Sequence, residues 1–179
     1  MLKIFVLFLL LSANVRTSLG QVYMTRSGYA SFFSSTPLED IKAENKQLLA
    51  IVDLDKKQLA FTLLMRGFTF KKALMQSHFN ENYVESDKYP KASFTGSFTG
   101  DPSPSPAKGN IKVMGNLTLH GVTKYIDVPA TLLLQQNRLT GEASFNLNPK
   151  DFNIEIPGLV RKNIAEEILL TIKIDCTPK

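Results

Sequence analysis

The chain has 179 residues, 44% of them hydrophobic, with one cysteine, two histidines and a formal charge of +5. A single cysteine excludes an internal disulfide, and two widely spaced histidines with that cysteine form no zinc pattern. The mild basic excess, gathered modestly at Lys71, Lys72, Lys88 and Lys91, lacks the dense basic stripe of a nucleic-acid binder, so no nucleic-acid partner is expected.

Residues 1–20 place Lys3 ahead of an unbroken apolar run from Ile4 to Leu11, with Ser18 and Gly20 at the small-residue positions of a cleavage site. This reads as a secretory signal peptide, leaving a mature domain over residues 21–179 in a periplasmic or secreted setting. The run is shorter than the roughly 20 residues a membrane helix needs, so no integral span is expected. Residues 21–179 have the length of one domain stabilised by packing.

From there the sequence alternates, as half-buried strands do. GYASFFSS turns Ala30 and Phe32 inward, KQLLAIVDL turns Leu48, Ala50 and Val52, and QLAFTLLM turns Leu59, Phe61, Leu63 and Met65. Asp53 to Lys57 between the last two reads as a tight polar hairpin turn. KKALMQSHFNENYVES breaks the period. Leu74, Met75, His78, Phe79 and Tyr83 fall at separations of three and four, which predicts a short helix with an irregular tail, stopped by Tyr89-Pro90. Alternation resumes in KASFTGSFTG with Ala92, Phe94, Gly96 and Phe98 inward. DPSPSPAKGN, residues 101–110, then reads as a solvent-exposed connection. Three further strands follow: NIKVMGNLTLH with Ile111, Val113, Gly115, Leu117 and Leu119 inward, YIDVPATLLL with Ile126, Val128, Ala130, Leu132 and Leu134, and RLTGEASFNL with Leu139, Gly141, Ala143, Phe145 and Leu147. EILLTIKIDC closes the series with Ile168, Leu170, Ile172, Ile174 and Cys176. About eight strands in a meander hide one apolar face each, either in a sandwich or by closing into a barrel.

No nucleophile elbow, phosphate loop or dinucleotide fingerprint is present, and no enzymatic activity or cofactor is expected. His120 stands outside the inward phase, directly before Gly121, and has no triad or metal partner in local sequence, so it reads as a turn residue. His78, on the helix, either binds at the surface or faces the polar end of a ligand. Asn116-Leu117-Thr118 matches a glycosylation sequon, but Leu117 is inward, which makes the match fortuitous. Cys176 shares the inward phase and reads as a small buried apolar residue. Lys162, Glu166 and Glu167 read as a solvated connection. The phenylalanines and methionines that remain either fill a solid core or line a cavity.

Four ordered blocks carry a resemblance: GYASFFSSTPLEDIKAEN, SHFNENYVESDKYPKASFTG, NLTLHGVTKYIDVP and DFNIEIPGLVRKNIAEEILLTIKI. Together they resemble the YceI-like family of secreted polyisoprenoid-binding proteins, over essentially all of residues 21–179. The resemblance implies an all-β, antiparallel, lipocalin-like barrel of about eight strands with one short covering helix. It implies binding, not turnover, of a long isoprenoid chain in a hydrophobic channel; the leading reading is a carrier or sequestering protein, monomer or homodimer, for a small hydrophobic ligand such as an isoprenoid, quinone or fatty amphiphile as cargo. On that reading Phe32, Phe61, Leu63, Met65, Phe94, Phe98, Leu117, Leu119, Val128, Leu132 and Phe145 contact the tail. Phe68, Met75, Phe79 and Tyr83 lie near the mouth, with Lys71, Lys72 or His78 available to a polar head. The alternative is a filled-core structural or protein-interaction barrel without a ligand.

Overall fold

The computed structural model describes residues 21–105 and 109–179. The signal peptide read in residues 1–20 lies outside the described residues. The alternating segments form β1 (Val22–Ser35), β2 (Asp40–Asp53), β3 (Gln58–Leu64), a two-residue β4 (Thr69–Phe70), β5 (Lys91–Thr99), β6 (Asn110–Leu119), β7 (Val122–Gln135), β8 (Arg138–Leu147) and β9 (Ile168–Pro178). They pair antiparallel in the order β1-β9-β8-β7-β6-β5-β3-β2, and β1 also pairs with β2, so eight strands close into a barrel. β4 lies outside the ring, paired with Ala43 and Glu44 where β2 runs past the end of β3. Closure leaves no free edge and commits every second side chain to the interior.

The first two strands alternate less regularly for a structural reason. Their pairing shifts register between Thr25, Gly28 and Ala30. A bulge of this kind reverses which residues point inward and bends the strands. Buried positions accordingly change from Tyr23 and Thr25 to Ala30 in β1, and from Ala43 and Asn45 to Leu48, Ala50 and Val52 in β2. Asn45, fully buried at the break, satisfies its amide by donating from Nδ2 to the Leu64 carbonyl at 2.9 Å, while its Oδ1 accepts from the Gln47 amide at 2.8 Å.

The expected helix is α1 (Ala73–His78), and its irregular tail is a π-helical turn over Phe79–Tyr83. It lies at the end of the barrel, here the upper end, shared by the β1–β2 loop, the β6–β7 hairpin and the long β8–β9 connection. The lower end carries the β2–β3, β5–β6 and β7–β8 turns. The proline-rich stretch from Asp101 is less exposed than its composition implies. Ser103 is buried and bridges Leu133, with its amide donating to the Leu132 carbonyl and its carbonyl accepting from Leu134. It continues the ladder along β7 past the point where β6 begins.

His120 belongs to the β6–β7 hairpin. Leu119 pairs with Val122, and the two residues between them have φ of 50° and 73°, the signature of a type I′ turn. Gly121 is required twice, since a Cβ there would also lie 2.6 Å from the Tyr89 ring. The His120 ring is 8% exposed, packed edge-on to Tyr89, with Nδ1 3.0 Å from the Phe152 carbonyl oxygen and Nε2 2.8 Å from Glu85 Oε2. It ties three upper segments together: the hairpin, the tail beyond α1 and the β8–β9 connection. Asp127, the acid nearest downstream, pairs instead with Lys112 at 2.7 Å.

The lower end is packed shut by Tyr23, Phe98, Leu139 and Cys176. Burial there pushes the Cys176 thiol up to about 12. In the folded protein Cys176 should therefore resist a thiol reagent at pH 8 and react at the ordinary rate only once denaturant unfolds the chain; prompt native labelling would show that this end opens. His120→Ala should cost about 1–3 kcal/mol in denaturant unfolding, because it strands the carbonyl of the buried Phe152, whereas the half-exposed Glu85 turns to water.

Candidate functional site

Above the packed floor the barrel holds a cavity of about 360 Å³. Its walls are aliphatic and aromatic, drawn from the inward positions of all eight strands and from Met75, Phe79 and Tyr83, one helical turn apart on the covering segment. Small inward residues make the space. Ala30, Ala92, Ala130, Gly141 and Ala143 line it where bulkier side chains would fill it. Gly96 and Gly115 face each other across β5 and β6, where a Cβ on either would strike the Phe94 ring within 3 Å. The ring therefore lies along the glycine-paved wall, stacked with Phe61 at a centroid distance of 6.0 Å. Ala130, Ala143, Phe145, Leu147, Leu170 and Ile172 have the inward phase of a core but are only half-buried, because they face this space.

Most of the residues read from the sequence as tail contacts meet here. Phe32, Phe61, Leu63, Met65, Phe94, Leu117, Leu119, Val128, Leu132 and Phe145 line the cavity, as do Phe68, Met75, Phe79, Tyr83 and His78 of the expected mouth. Phe98 does not. It has the inward phase but sits one step too low on β5 and is buried in the floor. Lys71 and Lys72 are also outside the lining, because both are exposed just before α1 and Lys72 is held by Glu39 Oε1 at 2.9 Å.

Several lining residues were not among the expected ligand contacts, although Phe70 belongs to the phenylalanines read as filling a core or lining a cavity. Phe70 joins Phe32, Phe68 and Phe79 in an aromatic cluster beneath the helix, with centroid distances of 5.1–5.6 Å. Its signal was the alternation Phe68, Phe70. Ile154, Ile156, Val160 and Ile164 come from the β8–β9 connection, which folds over the opening. NIEIPG there alternates too, although no strand forms. Glu39 and Asn163, two of the polar residues at the mouth, carried no sequence signal.

Glu39 organises that mouth. Its Oε1 accepts from Lys72 ahead of α1, and its Oε2 accepts from Asn163 Nδ2 at 3.4 Å. Beside it the Ser34 hydroxyl, almost wholly buried, accepts from the Ala165 amide at 2.8 Å. The β1–β2 loop is thereby clasped to both segments that cover the opening. The Lys72 hydrogen bond, then that of Asn163, holds the Glu39 carboxyl below its usual value. A carboxylate whose folded-state value is depressed contributes above its unfolded value, and the contribution fades as pH falls through the folded one. Hydrogen exchange at residues 71–78 and 157–165, taken relative to its intrinsic rate at each pH, should therefore stay slow to below the usual carboxylate range and quicken under further acid. Glu39→Gln should quicken it at neutral pH.

The remaining ionisable groups of the lining are His78, Tyr83 and Glu142, the last paired outward with Lys173 at 3.1 Å; burial raises the Tyr83 hydroxyl. Among the described residues no cluster of His, Cys, Asp and Glu is arranged to hold a metal ion, and no helix is long and apolar enough to cross a membrane.

Comparison with solved structures returns the same barrel. Burkholderia cenocepacia BcnA superposes with a TM-score of 0.72 at 18% identity, covering 84% of this chain and 96% of that one. A polyisoprenoid-binding domain from Saccharophagus degradans, implicated in plant cell wall breakdown, gives 0.72 at 12% identity over 89% and 99%. The YceI protein of Campylobacter jejuni gives 0.63 at 19% over 79% and 86%. At these identities the likeness is one of fold. No curated protein sequence matches the chain. The model of the YceI-like domain matches residues 25–176, nearly the whole described barrel, and the chain belongs to the YceI-like family.

Proposed function

We propose that this barrel binds a long-chain amphiphile of the isoprenoid class in its lumen and carries or sequesters it after export. The observation that carries the reading is the open apolar cavity of about 360 Å³, roofed by α1 and the β8–β9 connection and closed below. That volume lies within the range of about 300–1,000 Å³ usual for small-molecule sites. The Saccharophagus domain of the same fold is described as polyisoprenoid-binding, and residues 1–20 have the pattern of a signal peptide, which supports a periplasmic or secreted setting.

The energetics suit a hydrocarbon. Removing about 300 Å² of apolar ligand surface from water contributes roughly 7–8 kcal/mol before the cost of association, with no polar contact needed along the tail. Selection then falls to the mouth. The polar groups there are Glu39, His78, Tyr83 and Asn163, and no lysine or arginine lines the cavity among the described residues. Hydrogen-bonding groups without a cation favour an uncharged head, such as a quinone or an alcohol, over a phosphate. His120 takes no part. It lies outside the lining, with both ring nitrogens engaged.

Native mass spectrometry of protein purified without detergent, followed by organic extraction, should find a hydrophobic adduct or uptake of an added isoprenoid quinone or polyprenol. Phe145→Asp, which puts a carboxylate into the wall, should abolish retention while circular dichroism shows the barrel intact. A bare mass that persists after incubation with these compounds would sink the proposal and leave an interaction barrel without cargo.

A further inference from the structure

The exposed large hydrophobic side chains are unevenly distributed. Leu38, Leu74 and Leu159 are 66%, 67% and 98% exposed, and all three sit on segments of the upper end, around the cavity mouth. Phe33 and Leu169, a cross-strand pair on the outer face of β1 and β9, continue the apolar surface just below the rim. Among the described residues none of the lower turns carries an exposed side chain of this kind. We infer that the mouth end of the barrel docks onto an anionic phospholipid bilayer, with the three leucines entering the interface and the cavity opening against it.

Each leucine is presented by defined local structure. Leu159 lies in the turn Pro157–Val160, closed by the Val160 amide donating to the Pro157 carbonyl at 3.1 Å, and the adjoining Val160 lines the cavity. Leu74 is in the first turn of α1, beside Met75, which lines the cavity. Leu38 is held in a turn where Thr36 Oγ1 accepts from the amides of Leu38 and Glu39. Glu39 binds these tips together, since its two oxygens reach Lys72 and Asn163, close in sequence to Leu74 and Leu159. The three leucines are therefore joined through Glu39 around one mouth.

Charge selects the partner. Lys71 and Lys72 precede Leu74, and Arg161 and Lys162 follow Leu159, with no acid in residues 70–78 or 157–163. All four are exposed, and Lys71, Arg161 and Lys162 make no ion pair among the described residues. The third tip carries Glu39, tied to Lys72, and Asp40, which accepts from Ser35 Oγ at 2.6 Å. Glu81, Glu85, Asp87, Asp151, Glu155, Glu166 and Glu167 lie on the same segments outside these tips, where Glu85 meets His120, Asp87 meets Arg66, Glu166 lies 3.6 Å from Lys150 and Glu167 accepts from Asn146. Apolar tips ringed by lysine and arginine match an interface of acyl chains beneath anionic headgroups. Docked this way, a hydrophobic cargo would pass between bilayer and cavity without crossing water.

The test is cosedimentation of cargo-stripped protein with extruded vesicles, so that docking and cargo retention are read separately. Wild type should bind vesicles of mixed phosphatidylethanolamine and phosphatidylglycerol, bind phosphatidylcholine vesicles far less, and release at high salt. Leu74→Ser with Leu159→Ser should weaken binding by about tenfold or more per residue. Arg161→Glu with Lys162→Glu should weaken it by roughly fivefold or more per charge, on anionic vesicles only. Circular dichroism must show each variant folded. No binding by wild type, or equal binding by the folded leucine variant, overturns the inference. So does a concentration-dependent dimer that the leucine variant dissolves while vesicles go unbound, which would assign the surface to a second copy of the chain.

Discussion

Everything in this molecule depends on β1 pairing with both β2 and β9. Without both ladders the strands would form an open sheet with one solvated and one buried face, and its apolar face would need a second layer. With them the sheet is its own second layer. An eight-stranded ring has an interior just wide enough to be filled by side chains or to hold one small ligand. Which occurs is decided by the sizes of the inward residues. The bulges near Gly28 and Leu48 bend β1 and β2 so that the ring can close, and Asn45 satisfies the backbone at the break.

Inward size is graded along the barrel axis. At the floor Tyr23, Phe98, Leu139 and Cys176 interlock, with the Tyr23 hydroxyl donating to Asn137 Oδ1 of the lower β7–β8 turn at 3.0 Å. Above them alanines and glycines alternate with phenylalanines, and the Gly96–Gly115 pair lets the Phe94 ring lie along the wall. A void of this kind costs dispersion contacts that a filled core would have made. Glycines that hold an aromatic ring out of the lumen are consistent with a cavity maintained by the sequence.

The strand phases and the inward residues were legible because a period of two is a strong local signal, and β5 to β9 read almost residue by residue. The first half was harder to read because a bulge reverses the phase mid-strand, which alternation treats as noise. Phe98 shows the limit for the site: phase tells inside from outside, but height along the barrel depends on stagger between strands, a tertiary property. Lys71 and Lys72 were placed at the mouth from their nearness to the helix, and their side chains instead point to solvent and to Glu39. Glu39 itself was invisible, because its partners Lys72 and Asn163 are remote in the chain and meet only after closure. His120 was legible as a turn residue from the glycine beside it, although Glu85 and the Phe152 carbonyl, its partners, were not.

The two ends differ in how they are held. The floor is apolar packing. The upper end adds to the aromatic cluster under the helix a few polar ties between distant segments: Glu39 to Lys72 and Asn163, Ser34 to Ala165, and His120 to Glu85 and Phe152. Exposed ion pairs contribute little to stability, whereas a buried histidine ring set between the Phe152 carbonyl and Glu85 contributes more. The His120 tie therefore fixes the hairpin side of the rim, and the weaker Glu39 tie governs the side where α1 and the β8–β9 connection cover the cavity. The exposed leucines at 38, 74 and 159 stand on the weakly tied side, where a bilayer surface that gathered them would also act on the contacts that keep the cavity covered.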